Sequence, residues 1–169
     1  DTLYRLTDEY SLFYLKFIEG NKDVSADYWL NKSQGQEYKI WCGYAFENLC
    51  MKHVQYLKKA LKISGIQSQV NSYLHRANNA YPKGFQIDLL IDRKDGMMNI
   101  FEMKFYADEF VINADYANSL RTKKEGLRTL SNGKKDISIS FISTYSVFNN
   151  AHKLDLVDND FTIDVLFEN

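Results

Sequence analysis

The sequence predicts an α/β (α+β) protein, a mixed central sheet flanked by helices and preceded by an N-terminal helical segment. Three observations predict it. Apolar residues recur at helical spacing over 36–62 and 114–130, two strand-like runs at 85–92 and 99–105 flank a short turn, and the chain order reads helix, strand, strand, strand, helix, strand. Of 169 residues, 45% are apolar and 15% aromatic, which excludes a disordered chain and suits one main domain with or without a small appendage. No apolar run is long enough to cross a bilayer and no signal-peptide pattern opens the sequence, so a cytoplasmic location is expected.

Taken in order, Leu3-Tyr4-Arg5-Leu6 reads as strand-like, and a chain that begins at Asp1 in this way is expected to be the C-terminal piece of something longer. Thr7 is placed to cap a helix with Asp8 and Glu9 in its first turn and Tyr10, Phe13, Tyr14, Phe17 and Ile18 inward, ending at Gly20. A short helical turn follows at 25–30. From 36 to 62 one long helix puts Trp41, Ala45, Phe46, Leu49, Val54, Leu57 and Leu61 on its inner side, with Gly43 as a bend and Gly65 as its end. Cys42 and Cys50 lie eight positions apart on it, about 12 Å along the axis, too far to bridge; buried thiols are expected.

A strand at 66–74 and a polar loop at 78–84 lead to the strand-like run Phe85-Gln86-Ile87-Asp88-Leu89-Leu90-Ile91-Asp92 and its partner Asn99-Ile100-Phe101-Glu102-Met103-Lys104-Phe105. Asn113 caps the next helix, 114–130, with Ala117, Leu120, Leu127 and Leu130 inward and Asn132-Gly133 as its stop. A strand at 137–143, turn residues Asn149-Asn150, an edge strand near 154–157 and a terminal turn at 163–167 complete the reading. There is no internal repeat and no phosphate-cradling Gly-x-x-x-x-Gly-Lys-Ser/Thr loop.

Charge sits where core strands should carry none. Side chains two apart on a strand share a face, so Glu102 and Lys104 project from the side that holds Met98 and Ile100. Burying a carboxylate and an ammonium is costly, and a strand that keeps both usually does so for metal binding or catalysis. Whether Asp88 joins them depends on the turn. A two-residue Asp95-Gly96 turn sets Asp88 opposite Met103, on the other face; a three-residue Lys94-Asp95-Gly96 loop, with Gly96 left-handed, pairs Arg93 with Met97 and brings Asp88 across from Glu102. The second register is expected.

The order Glu47 on a helix, Asp88 on a strand and Glu102-Met103-Lys104 on its partner resembles the PD-(D/E)XK nuclease superfamily, over about residues 36–143, although Ile87 stands where the motif name has Pro. More narrowly, Trp41-Cys42-Gly43-Tyr44-Ala45-Phe46-Glu47-Asn48-Leu49-Cys50, with the two strand segments, is similar to the C-terminal domain of bacterial and archaeal AAA-type ATPases related to the archaeal ATPase family. The resemblance implies a restriction-endonuclease-like core over 33–169, with 1–32 as the end of an upstream winged-helix and linker segment. It implies Asp88 and Glu102 as carboxylates for Mg²⁺ or Mn²⁺, Lys104 positioning or activating the attacking water, Glu47 completing the acidic cluster, DNA as substrate and an ATPase module upstream. Mg²⁺ takes hard oxygen ligands and keeps several waters, so two carboxylates and one carbonyl, that of Met103, suffice.

Plainer readings stand beside these. Glu102 and Lys104 would otherwise form an ion pair at a sheet edge with Asp88 solvated, and Glu47 reads equally as a surface acid. Asp92 reads as turn chemistry. Residues 121–135 carry six Lys or Arg against the single acid Glu125, within a formal net charge of −1. Arg121 and Lys124 are candidate nucleic-acid contacts, as is Lys123, which continues the Tyr116, Leu120, Leu127 spacing toward the sheet and either meets a phosphate or snorkels past the core. His53 is expected as a core histidine; His75 and His152 have no assigned partner. A metal-dependent endonuclease is therefore the expected function, with a catalytically inactive nuclease-fold module for nucleic-acid binding or regulation as the alternative.

Overall fold

Residues 89–91 and 99–103 are buried without a break, on both faces of their strands, and so form the interior of the sheet. The computed structural model describes residues 6–21 and 25–167; the strand-like reading of 3–6 falls largely outside them. Five strands lie side by side in chain order: β1 (Ser68–His75), β2 (Phe85–Arg93), β3 (Met97–Lys104), β4 (Asp136–Ser143) and β5 (Asn159–Thr162). The first three are antiparallel, and β4 and β5 then run parallel to β3. The helices are α1 (Glu9–Phe13, continued by a π-helical turn at Tyr14–Ile18), α2 (Ala26–Gln34), α3 (Gln36–Lys52), α4 (Val54–Ala60), α5 (Ala114–Leu130) and α6 (Ala151–Leu156).

The chain divides into two compact units, 1–52 and 53–169. In the first, Phe13 and Phe17 from the α1 segment, Trp29 from α2, and Tyr38 and Trp41 from α3 pack ring against ring at centroid distances of 5.1 to 5.9 Å. Asp8, not Thr7, caps α1, its carboxylate accepting from the Ser11 N–H at 2.7 Å. The turn expected at 25–30 is a nine-residue helix capped by Ser25. Cys42 and Cys50 are free, buried thiols.

The single helix expected over 36–62 is two. The backbone leaves helical geometry at His53 (φ −103°, ψ 23°), while Gly43 sits inside α3: a lone glycine weakens a helix without breaking it. The second helix closes at Lys62, left-handed at φ 59°, with the Ile63 N–H bonded to the Lys58 carbonyl, three residues before Gly65. His53 is half-buried and packs on the Tyr56 ring rather than lying in the core.

In the second unit β2 ends at Arg93 and β3 begins at Met97, which leaves Lys94-Asp95-Gly96 as the loop, with Gly96 at φ +90°. Leu89 pairs with Phe101, Leu90 with Ile100, Ile91 with Asn99 and Asp92 with Met98, the register of the three-residue loop. On the other edge of β2, Asn71 faces Leu90 and Tyr73 faces Ile87, so a bulge sets Asp88 and Leu89 against Ser72. The sequence gives no sign of it. Through this bulge Ile87 and Leu90, three apart, both enter the core that α5 covers.

α5 crosses from β3 back to β4, capped by Asn113 and closed at the left-handed pair Asn132 and Gly133, and buries Ala117, Leu120 and Leu127 against Ile100, Ile139 and Phe141. The segment read as an edge strand at 154–157 belongs mostly to α6. Asn150 accepts from the Lys153 N–H at 2.9 Å and so caps a helix, and the edge strand follows it as β5.

Two measurements check this packing. A Cβ on Gly126 would run into the Phe85 ring, so Gly126→Ala should cost about 1–3 kcal/mol in urea unfolding although alanine favours helices; a stabilised variant would refute the contact. Burial first, and the Glu47 charge second, push the Cys50 thiol up to about 12 from its ordinary value near 9. The thiol then ionises more readily in the unfolded chain, so its contribution is full below about pH 9 and is lost as pH rises toward 12. Denaturant midpoints should fall between about pH 8 and about pH 10, and less steeply in Cys50→Ala.

Candidate active site

Glu102 lies on the face of β3 that carries Ile100 into the core, and only 1% of it is exposed. A buried carboxylate needs partners for both oxygens. Two come from α5: the Tyr116 hydroxyl donates to Oε2 and the Lys123 ammonium donates to Oε1. Tyr116 and Lys123 are seven residues apart, two helical turns, and so project from the same side of α5. The Asn113 cap holds the Tyr116 N–H at 2.9 Å, which fixes the start of the helix at the tyrosine that binds Glu102.

The third partner is on β3 itself. Lys104 Nζ stands 3.9 Å from Glu102 Oε2 and lies over two rings, 5.0 Å from the Tyr116 centroid and 5.7 Å from that of Phe110. Phe110 is fixed by backbone bonds to the loop after β4, and its ring meets Tyr116 edge-on at 5.1 Å. Burial pushes the Tyr116 hydroxyl far above its ordinary value, with the Glu102 charge, their hydrogen bond and the Asp88 charge adding to it. Tyr116 is thereby held as a donor at any physiological pH.

Asp88 sits in the β2 bulge, half-buried, with the Gln86 amide donating to its carboxylate at 3.3 Å. One further step in the hairpin register would set it across from Glu102, but the paired ladder ends at Leu89 and Phe101, and the bulge interrupts the alternation at this point. Its carboxylate is near enough to Tyr116 to act on that hydroxyl. Met103 is buried in the ladder with β4. Glu47 belongs to the other unit, half-buried on α3, where its charge acts on Cys50. Among the described residues no three of His, Cys, Asp and Glu gather into a metal-binding group.

Lys123 does point to the sheet, as its spacing indicated, and what it meets is Glu102. Arg121 turns outward to Asp155 at 2.7 Å. Asp92 is not turn chemistry: it pairs with Lys135, just before β4, and Arg93 takes Asp95 of the turn instead. His75 is buried with its Nε2 3.0 Å from the Tyr81 carbonyl. The residue that sequence reasoning passed over is Tyr116, and its signal was present in the spacing it shares with Lys123.

Comparison with known proteins finds no matching family model and no matching curated protein. No helix among the described residues is long and apolar enough to cross a membrane.

Removing one partner of a buried pair leaves the other charge uncompensated. Lys123→Met should therefore destabilise the protein by about 3 kcal/mol, and the double variant with Glu102→Gln should lose markedly less than the sum of the two single losses. Simple additivity in urea titrations would show that the two groups do not act as a unit.

Proposed function

We propose that this chain is a metal-dependent phosphodiester hydrolase of the PD-(D/E)XK type, acting on DNA in the cytoplasm as the C-terminal part of a larger AAA-type ATPase. The observation that carries the reading is Glu102, a carboxylate 1% exposed yet held among Tyr116, Lys123 and Lys104, in the Glu-x-Lys strand that follows the Asp88 strand. The topology supports it as well: a helix, three antiparallel strands, a crossover helix and a parallel strand is the core order of that superfamily. Glu47 enters through the resemblance alone.

The donors are of the kind the metal takes. Asp88, Glu102 and the Met103 carbonyl are hard oxygen ligands, and two carboxylates with several retained waters make an ordinary Mg²⁺ or Mn²⁺ shell; these are the groups that would hold the ion. When bound, the ion supplies Lewis-acid polarisation of a phosphate. Lys104 places a compact positive charge beside Glu102, suited to holding a water or a phosphate oxygen in line. Its position over the Phe110 and Tyr116 rings fixes the direction of that charge, and Tyr116 fixes the Glu102 carboxylate in turn.

With Mg²⁺ or Mn²⁺ the purified protein should nick plasmid DNA, and Glu102→Gln and Lys104→Ala should each lower the rate by about 100-fold or more, with circular dichroism showing an intact fold. Cutting that survives both substitutions would sink the assignment.

One observation favours the second reading, an inactive nuclease-fold module for binding or regulation: Lys123 already supplies a positive charge to Glu102. A rise in melting temperature with millimolar divalent ion supports the enzyme, and an unchanged one supports the inactive module.

A further inference from the structure

The outer flank of α5 carries charge that the Glu102 site does not use. Arg121, Lys124 and Arg128 follow one another at spacings of three and four and share a face with Glu125. Together with Lys135 and Asp136, where β4 begins, they line an open cleft of about 430 Å³, with Ile137 as the one apolar residue of its wall among those described. Four cations thus face two acids. Arg121 is tied to Asp155 and Lys135 to Asp92, whereas Lys124 and Arg128 form no ion pair among the described residues.

The position of the cleft is set by the sheet. Asp136 pairs with Met97 and Phe141 with Glu102, so the β4 end of the cleft lies five residues from Glu102 along β3 and β4, roughly 16 Å at about 3.3 Å per residue, while α5 spans the distance between them. Successive base pairs along one strand of a duplex are spaced about 3.4 Å apart, which makes that distance about five base pairs. A row of cations along one helix, at spacings of three and four residues, fits a regularly spaced anion.

We infer that this cleft anchors the phosphodiester backbone of a nucleic acid through Lys124 and Arg128, on the same helix whose Lys123 reaches Glu102. What happens at Glu102 rests on the nuclease reading; the anchoring does not.

The test is fluorescence anisotropy of a labelled duplex of about 20 base pairs without divalent ion, a length that covers both the cleft and the Glu102 site, using the whole chain. Lys124→Ala/Arg128→Ala should weaken binding by about tenfold or more at low salt and flatten the slope of log K against log salt by about 2, with an unchanged melting temperature. Equal binding by the double variant overturns the proposal. So does a failure of the unsubstituted chain to bind duplex, or a preference for polyglutamate, which would make the cleft a seat for an acidic protein segment. Cutting assays at saturating duplex separate the two ideas: normal binding without cutting leaves the anchor standing and removes the nuclease reading.

Discussion

The burial of one negative charge organises this molecule. At 1% exposure Glu102 has lost its water, and an isolated carboxylate in such a place would cost several kcal/mol; it is sustained only because Tyr116 and Lys123 reach it from α5 and Lys104 stands beside it. That requirement fixes the rotation of α5. Leu120, fully buried, lies between the two polar partners on the same helix side, so the turns that satisfy Glu102 also fill the core. Turning the helix by one residue would lose both at once.

The sheet delivers the carboxylate to that place. The three-residue loop sets the register of β2 against β3, and the parallel crossover through α5 then lays the helix over the face that holds Ile100 and Glu102. Lys104 gains a second role from this arrangement. Its ammonium rests over the Phe110 and Tyr116 rings, so a lysine that would otherwise be free to wander is held in a defined direction. On the opposite flank of β2, the bulge at Asp88 changes which residues reach the core.

Local chemistry was legible and distant pairing was not. Asn113 and Asn132-Gly133 bound α5 where their side chain and backbone preferences place them, and Gly96 selected the loop of the β2–β3 hairpin. The inward aim of Lys123 followed from its spacing. By contrast, Asp8 displaced Thr7 as a cap, because both are competent and the geometry of the first turn chooses between neighbours. The apolar run at 154–157 read as a strand on composition, but the Asn150 cap and the helix it starts claimed most of it. The break at His53 carries no Gly or Pro signal, and the bulge at Asp88 exists only because Tyr73 pairs with Ile87 while Asn71 pairs with Leu90.

The sequence by itself determined the three central strands, the bounds of α5, the hairpin register and the presence of Glu102 and Lys104 on one strand face, since each depends on residues within a few positions of one another. Only the tertiary structure decided which charges meet. Lys123 lies 21 residues from Glu102 and Lys135 lies 43 from Asp92, and their pairing requires α5 and β4 to be laid across strands whose own residues say nothing of them. Periodicity tells which way a side chain faces; what it faces follows from the packing of the whole chain, because a buried charge is tolerated only where the fold supplies its counterpart.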